Sequence, residues 1–462
     1  MKSIKLGLAL VGLLVGAGFA TGKEVTQYFV SFGTMGVWGV LVAAITTAGA
    51  AIVAMTAGSF FLAEEHSSVF SRISHPIISK VMDAGATVTQ FAIGFIMIAG
   101  AGAVVEQQWG IQPWIGALSL TIIIALVGLL DVDRVSTIIG GATPLIVVVI
   151  LIVFVWVLLN KPDVSFTELA AIGAQNESPV RPWWLSALNY TGMTLATGIS
   201  MILVIGGDSA NMQNAIRGGL LGGLIYSTMV VIEVVMLLLA APLVLGSDVP
   251  ILALTTHIAP WFSHFASVVV VFMVFNTALG MFYALGRRLT AKKPEAYRPV
   301  YLLGVLVGFG VSFVGFGDLV NMVFPILGWI GMVIVGALIL WRFKTASRIE
   351  AEGKARSRIW KYATAPAKAS TRDLRRIATL IRGTAPENER FRAKLQDELE
   401  QQHEGESEYE DSPEAAEHQE MLDKLEEYDE RYAAQQAAGA TDQTPDAADQ
   451  SPDAAADAPK QS

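Results

Sequence analysis

Across positions 135–160 the chain runs for 26 residues without one ionisable side chain. A stretch so long and so apolar is excluded from water, and a bilayer core accommodates a helix of about 20 such residues. The pattern recurs along the chain. Charge-poor stretches cover 4–31, 35–63, 81–105, 112–130, 135–159, 183–205, 218–243, 261–285, 300–316 and 319–341. They predict ten membrane-crossing helices. The segment 251–260 is too short to span and is expected as a helix on the outer surface.

The charges divide the chain in two. Residues 1–341 carry 14 Lys/Arg and 15 Asp/Glu, whereas 342–462 carry 18 and 26. The first part is too apolar for water and the second too polar to build its own core. The expected organisation is therefore a ten-helix domain at 1–341, a basic juxtamembrane segment at 342–394 and an acidic, mostly disordered tail at 395–462. Several function classes drop out. The chain has no cysteine, so disulfides, thiolate metal sites and cysteine nucleophiles are absent. The six histidines show no zinc-site spacing, and a pI near 5.3 argues against nucleic acid as a partner. With no nucleophile–base pair, metal cluster or phosphate loop, an enzyme is not expected.

Alternate threading with the N-terminus inside places Lys2, Lys5, Arg72, Lys80, Arg134, Arg217, Arg287, Arg288, Lys292, Lys293 and Arg298 on the inner side and only Lys161 and Arg181 outside. This positive-inside bias predicts a multi-pass protein of the cell inner (plasma) membrane with both termini cytoplasmic. Trp38, Trp109, Trp114, Trp156, Trp183, Trp184 and Trp261 fall near predicted outer helix ends, as one side of an aromatic belt does. The start of the chain also has the form of a secretory signal. Its removal would leave nine spans and turn the basic loop 287–298 outward, so we expect it to be retained.

The first stretch contains Gly16-Ala17-Gly18-Phe19-Ala20-Thr21-Gly22-Lys23-Glu24. Each glycine weakens a helix by about 1 kcal/mol relative to alanine, and irregular backbone at membrane depth persists only where it lines a cavity or is buried in protein. Glycines also serve close helix packing, the reading preferred for Gly218/Gly222 and Gly219/Gly223. The sixth stretch reads Asn189-Tyr190-Thr191-Gly192-Met193-Thr194-Leu195-Ala196-Thr197-Gly198, and its last four residues match Phe19-Ala20-Thr21-Gly22 at three positions, 176 residues away. Two five-helix halves of opposite orientation, each opening on an interrupted helix, predict an inverted repeat whose breaks form a binding site. The expected fold class is an all-α integral membrane protein, a 5+5 inverted repeat with broken helices 1 and 6, followed by a disordered or helical cytoplasmic tail.

This plan resembles the LeuT-like fold of the amino acid–polyamine–organocation superfamily. The string GAGFATGKE followed by Val25-Thr26-Gln27-Tyr28-Phe29 is similar to the opening of the bacterial YkvI-type membrane proteins, a resemblance covering 1–341. It implies a sodium- or proton-coupled carrier of amino acids or related amines. Gly16, Ala17, Gly18, Phe19 and Thr21 are the expected substrate contacts from helix 1, the Gly-x-Gly matching a carboxylate-binding turn. Asn189, Tyr190, Thr191, Gly192 and Thr197 complete the site from helix 6, and Gln90, with Phe91 and Gly94, forms a wall from helix 3. The resemblance also implies a sodium site between helices 1 and 8 that uses the Met273 carbonyl, Asn276 and Thr277, although the last two also suit hydrogen bonding between helices. Absence of lysine from 135–160 favours sodium as the coupling ion, with no other cofactor expected.

Two acids bear on coupling. Glu233 lies mid-helix and Glu24 follows the glycine turn; a buried, unpaired carboxylate marks a proton carrier, an ion ligand or a partner for Lys23. Lys23 is also long enough to snorkel into an outer vestibule. Asp83 and Asp318 lie near helix ends and are expected to be solvated. The functional expectation is a sodium-coupled symporter of an amino acid or similar small zwitterion, alternatives being a proton-coupled antiporter and a non-transporting receptor. Beyond the last span, 342–394 holds 15 Lys/Arg against five acids, net +10, and 395–462 holds three against 21, net -18. Apolar residues at helical spacing in 371–383 predict a helix that either lies on anionic lipid or stays solvated. An acidic helix is expected at 414–436, followed by a proline-bearing seven-residue repeat that acts as a disordered spacer.

Overall fold

The computed structural model describes residues 2–130, 143–363 and 394–395. The predicted segments at 371–383 and 414–436, the proline repeat and Arg134 lie outside the described residues. Every regular element among the described residues is helical. Six helices are long and apolar enough to cross a membrane: Thr34–Phe61 (span 2), Pro76–Trp109 (span 3), Trp183–Gly207 (span 6), Met212–Leu239 (span 7), Pro260–Leu289 (span 8) and Phe316–Lys344 (span 10). Pro113–Val127 (span 4) and Thr143–Leu159 (span 5) are shorter apolar helices, and Tyr297–Ser312 forms span 9. Span 1 comes in three pieces, Lys2–Leu14, Ala17–Thr21 and Lys23–Tyr28. The expected surface helix is present as Pro250–Ile258.

Packing sorts the spans into two groups. Spans 1, 2, 6 and 7 pack against one another, and spans 3, 4, 8 and 9 do the same; span 5 touches spans 7 and 8, while span 10 lies along span 6 and reaches span 3. Small residues allow the close approaches in the first group, as expected for the span 7 pairs. A methyl added to Gly222 would lie 2.6 Å from the Gly7 carbonyl of span 1, and one on Gly223 would lie 2.8 Å from the Ala48 Cα of span 2. With no hydrophobic drive between helices in lipid, such contact is what holds them together. The outward surface is apolar: Ile45, Leu126, Leu159, Val268 and Phe343 are all exposed, as are Trp38, Trp109, Trp114, Trp184 and Trp261. Each of these tryptophans lies at a helix end on the face opposite the one that carries Lys2 and Lys344.

We call the face bearing Lys2 the terminal face. A helix following span 10, Ala346–Ala363, packs there against spans 7 and 10. Its Arg356 donates to the Ser59 and Phe60 carbonyls at the end of span 2.

Candidate functional site

Span 1 breaks twice. At the first break Gly16 adopts an extended backbone (φ -95°, ψ -173°), which any residue tolerates. The helical ladder is lost there, and the freed Ala17 N–H donates to Thr277 Oγ1 of span 8 at 3.3 Å. At the second break Gly22 is left-handed, with φ +77°. That conformation costs an L-residue roughly 1–2 kcal/mol, so glycine is the residue suited to it. The Gly22 carbonyl accepts from the Thr26 hydroxyl at 2.9 Å. Both breaks thus find polar partners without water, the condition for irregular backbone at this depth.

Two carboxylates converge on the second break. Glu24 folds back so that its carboxylate lies over Gly18, where a side chain would overlap it. Glu233 of span 7 reaches Gly22, its Oε1 lying 3.4 Å from where a methyl on Gly22 would stand. Glu24 is 7% exposed and Glu233 0%. Neither Glu233 oxygen meets a hydrogen-bond donor among the described residues. Lys23 does not supply the charge: its Nζ points to the face opposite the termini and pairs with Asp248 Oδ1 at 2.7 Å. The Tyr190 hydroxyl donates to Glu24 Oε1 at 3.4 Å and shares a 3.0 Å hydrogen bond with the Tyr226 hydroxyl. Phe19 packs on the Tyr226 ring, centroids 6.2 Å apart, and Tyr28 and Phe29 pack edge-on against Tyr190. The result is a buried, acceptor-rich cluster drawn from spans 1, 6 and 7.

The structure brings some predicted residues together and separates others. Gly16 and Ala17 meet Thr277 at the first break, where Met273 and Asn276 are also buried. Gly18, Phe19, Glu24, Tyr190 and Glu233 surround the second, while the Thr21 hydroxyl turns back to the Gly18 carbonyl. Gln90 is buried in span 3 and its Oε1 has no hydrogen-bond partner among the described residues, with Phe91 packing on Phe95 and Phe282, and Gly94 on the Phe282 ring. Asn189 is instead spent on structure, accepting from the Tyr28 hydroxyl at 2.9 Å and donating to the Pro325 carbonyl at 3.1 Å. Thr191 joins Thr46 and Thr47 of span 2 at 2.7 and 3.1 Å. Thr197 bonds the Thr194 carbonyl of its own helix.

The expected break in helix 6 is corrected: Trp183–Gly207 runs unbroken through Gly192 and Gly198. The reason is packing. A methyl on Gly192 would collide with the Gly328 carbonyl and Met332 of span 10, and one on Gly331 would collide with the Gly192 backbone. The glycine is there to admit another helix, not to release its own. Sequence reasoning also missed Tyr226, although it stands two helical turns before Glu233 and therefore on the same face.

Polar contacts tie the ends of the bundle. On the face opposite the termini, Gln107 of span 3 donates to the Val249 carbonyl and accepts from the Val249 N–H and the Ser247 hydroxyl, while Lys23 holds Asp248 and the Ser247 carbonyl. The 247–249 segment is thereby pinned to both packing groups. On the terminal face Arg288 of span 8 bonds His66 Nε2 and pairs with Asp83 of span 3. Asp83, expected to be merely solvated, is thus ion-paired. Burial, then the Arg288 charge, pushes the His66 imidazole down to about 4 against the pull of Asp83, which keeps Nε2 unprotonated and able to accept from arginine.

No family model matches the chain. It is similar to YkvI of Bacillus subtilis (strain 168), described as an uncharacterized membrane protein, at 25% identity over 342 residues, covering 72% of this chain and 94% of that one. It is also similar to the Bacillus subtilis protein YyaD, at 22% identity over 341 residues, 73% of this chain and 96% of the other. Among solved structures, the inward-facing conformation of Mhp1 overlays with a TM-score of 0.52 at 15% identity, over 82% of this chain and 86% of that one. The fold is LeuT-like. The interrupted first span of this chain turns its breaks toward span 7 of its own packing group and span 8 of the other.

Proposed function

We propose that the chain is a secondary active transporter that moves a small amino acid or related amine by alternating access, its terminal face being cytoplasmic. The observation that carries this reading is the doubly broken first span, with its backbone groups held by Thr277 and Thr26 and two buried acids at its second turn. A discontinuous helix at the junction of two packing groups offers N–H groups to a carboxylate and carbonyls to a cation. We assign the coupling role to Glu24 and Glu233. A carboxylate buried without a counter-ion is tolerated only when a proton or a cation neutralises it, and this pair has no basic side chain bonded to it among the described residues. A proton taken up there would leave again when the site opens to the other side. Sodium coupling is the second reading, favoured by the meeting of Thr277 with the first break.

Reconstituted protein tests both. Uptake of labelled L-amino acids and n-alkylamines into proteoliposomes should follow an imposed pH gradient and collapse with a protonophore. Glu233→Gln should abolish gradient-driven accumulation. Uptake indifferent to the protonophore but dependent on sodium would replace the proton by sodium. Binding without flux for every solute would end the carrier reading in favour of a receptor.

A further inference from the structure

A tyrosine hydroxyl has one proton to give, and that of Tyr190 goes to Glu24 Oε1. In the 3.0 Å contact between the Tyr190 and Tyr226 hydroxyls, Tyr226 is therefore the donor. The chain runs from Tyr226 of span 7 through Tyr190 of span 6 to Glu24 of span 1. A phenolic O–H lies close to its ring plane, so the hydrogen has two directions open to it, and a donor arriving along one leaves the other. Tyr226 thus aims the Tyr190 proton at Glu24. The aim matters because that last contact is long, 3.4 Å against about 2.5–2.7 Å for a hydroxyl on a carboxylate, and a hydroxyl that itself accepts a bond is the stronger donor. The rings are seated on span 1. Phe19, in the piece Ala17–Thr21, packs on the Tyr226 ring, while Tyr28 and Phe29, at the end of Lys23–Tyr28, pack edge-on against Tyr190 with centroids 5.5 and 4.9 Å away. The two pieces flanking Gly22 therefore rest on one hydroxyl pair, each tyrosine only 1% exposed. The titratable groups around Glu24 are Tyr28, Tyr190, Tyr226 and Glu233. Among the described residues Tyr190 is the one side chain that donates to either acid: neither Glu233 oxygen has a partner, and Lys23 is turned away to Asp248.

We propose that Tyr226 is a positioning residue for coupling: acting through Tyr190, it holds the Glu24 carboxylate at the second break of span 1, and does so only while both flanking pieces are seated. This role deepens the carrier reading and rests on it for the use made of Glu24. It is confined to that acid, since Glu233, two turns on along the same face of span 7, receives no bond from Tyr226.

Infrared difference spectra between acidic and alkaline buffer, taken on full-length protein in lipid nanodiscs, report the carbonyl stretch of each buried acid in its protonated form. Glu24→Gln and Glu233→Gln each remove one band and so assign them. A carbonyl that loses a hydrogen bond absorbs at higher wavenumber. Tyr226→Phe keeps the ring that meets Phe19 and is expected to raise the Glu24 band while the Glu233 band stays in place. Tyr190→Phe should raise it further, and the double variant should match Tyr190→Phe alone, because Tyr226 works only through Tyr190. Phe19→Leu, which loosens the Tyr226 ring and leaves its hydroxyl, should also raise the Glu24 band, and it carries the test if Tyr226→Phe folds poorly. In proteoliposomes, accumulation of labelled n-propylamine or L-alanine under a pH gradient should fall more steeply in Tyr226→Phe than exchange of the same solute at equal pH. A Glu24 band that stays put in Tyr226→Phe, or in Phe19→Leu where that variant carries the test, would overturn the proposal. So would additive shifts in the double variant, equal shifts of both acid bands, or equal losses of accumulation and exchange, which mark a packing defect. The two readings fail separately: a shifted Glu24 band without flux of either solute keeps the positioning residue and removes the carrier, and flux with an unmoved band does the reverse.

Discussion

Arg356, outside the spans, is almost fully buried at 1% exposed. Its Nε donates to Glu352 Oε1 at 2.7 Å, Nη1 to the Ser59 carbonyl at 2.6 Å and Nη2 to the Phe60 carbonyl at 3.0 Å. The last carbonyls of span 2 have no partner within their own helix and attract a cation, so the arginine caps that helix while its own helix docks. Arg356→Met keeps much of the apolar stem but strands Glu352, itself 9% exposed. Breaking a buried pair from one side costs about 3–5 kcal/mol. The helix Ala346–Ala363 has an escape, however, since it can leave the bundle and return its charges to water. The observable loss is therefore limited to the docking free energy, and we expect the lower end, about 3 kcal/mol, or roughly a hundredfold rise in the undocked population. Amide hydrogen exchange across 346–363 reads that population directly. The double variant Glu352→Gln with Arg356→Met should recover part of the loss, because no carboxylate is then stranded. Exchange in 346–363 equal to that of the unaltered protein would refute the reasoning, and so would a double variant worse than Arg356→Met alone.

Gly192→Ala should lower the melting temperature in detergent by an overpacking cost of about 1–3 kcal/mol, because its methyl meets the backbone of Gly328 and Met332; an unchanged melt would mean that span 6 yields there. Gly22→Ala should cost roughly 1–2 kcal/mol for its left-handed backbone, whereas Gly16→Ala, extended and with its nearest neighbour 3.9 Å away, should melt like the parent. Asp248→Asn should change stability by less than about 1 kcal/mol, since that carboxylate is half exposed, yet speed maleimide labelling of Thr26→Cys; an unaltered rate would dismiss the Lys23–Asp248 contact as a latch. His66 is held below its ordinary value, at about 4. Its neutral form is favoured by the fold, so the stability it contributes is complete above about pH 6.5 and is lost as the pH falls toward 4. Melts of the parent should fall over that window more steeply than those of His66→Gln.

The ten apolar segments were legible because a bilayer imposes length and polarity one helix at a time, without reference to neighbours. The same is true of Gly16 and Gly22, whose surroundings in sequence, a cluster of glycines beside Lys23 and Glu24, already ask for irregular backbone. Which glycine breaks a helix and which admits a neighbour is a different matter. Gly192 and Gly22 look alike in sequence, but their roles depend on what stands opposite: the backbone of span 10 in one case, the Glu233 carboxylate and the Ile251 side chain in the other. The resemblance makes Asn189 and Thr191 site residues of an interrupted helix 6, but in the unbroken helix their side chains bond to other parts of the bundle. Their partners are Tyr28, Pro325, Thr46 and Thr47, contacts made between residues far apart in the chain. Tyr226 carries no such signal alone, and only its register with Glu233 connects it to the acids.

The two matching tetrapeptides therefore differ in backbone. Phe19-Ala20-Thr21-Gly22 ends in a left-handed turn, whereas Leu195-Ala196-Thr197-Gly198 stays helical. The Ala17 N–H at the Gly16 break is taken by Thr277 of span 8, while at the second break the Gly22 carbonyl receives both the N–H and the hydroxyl of Thr26 from the piece that follows. At Gly198 the nearest neighbours are the Leu13 and Ile202 side chains, which have nothing to offer a freed carbonyl, so the helix keeps its own bonds. The Lys2–Leu14 piece is seated against span 7 through Gly7 and Gly222, whereas Ala17–Thr21 and Lys23–Tyr28 are tied to each other across Gly22 by the Glu24 carboxylate over Gly18 and the Lys23 N–H on Thr21 Oγ1. Lys23 and Glu24 are adjacent, one paired with Asp248 on the face opposite the termini and the other bonded to Tyr190 inside the bundle, so in the carrier reading a displacement of 17–28 moves both contacts together.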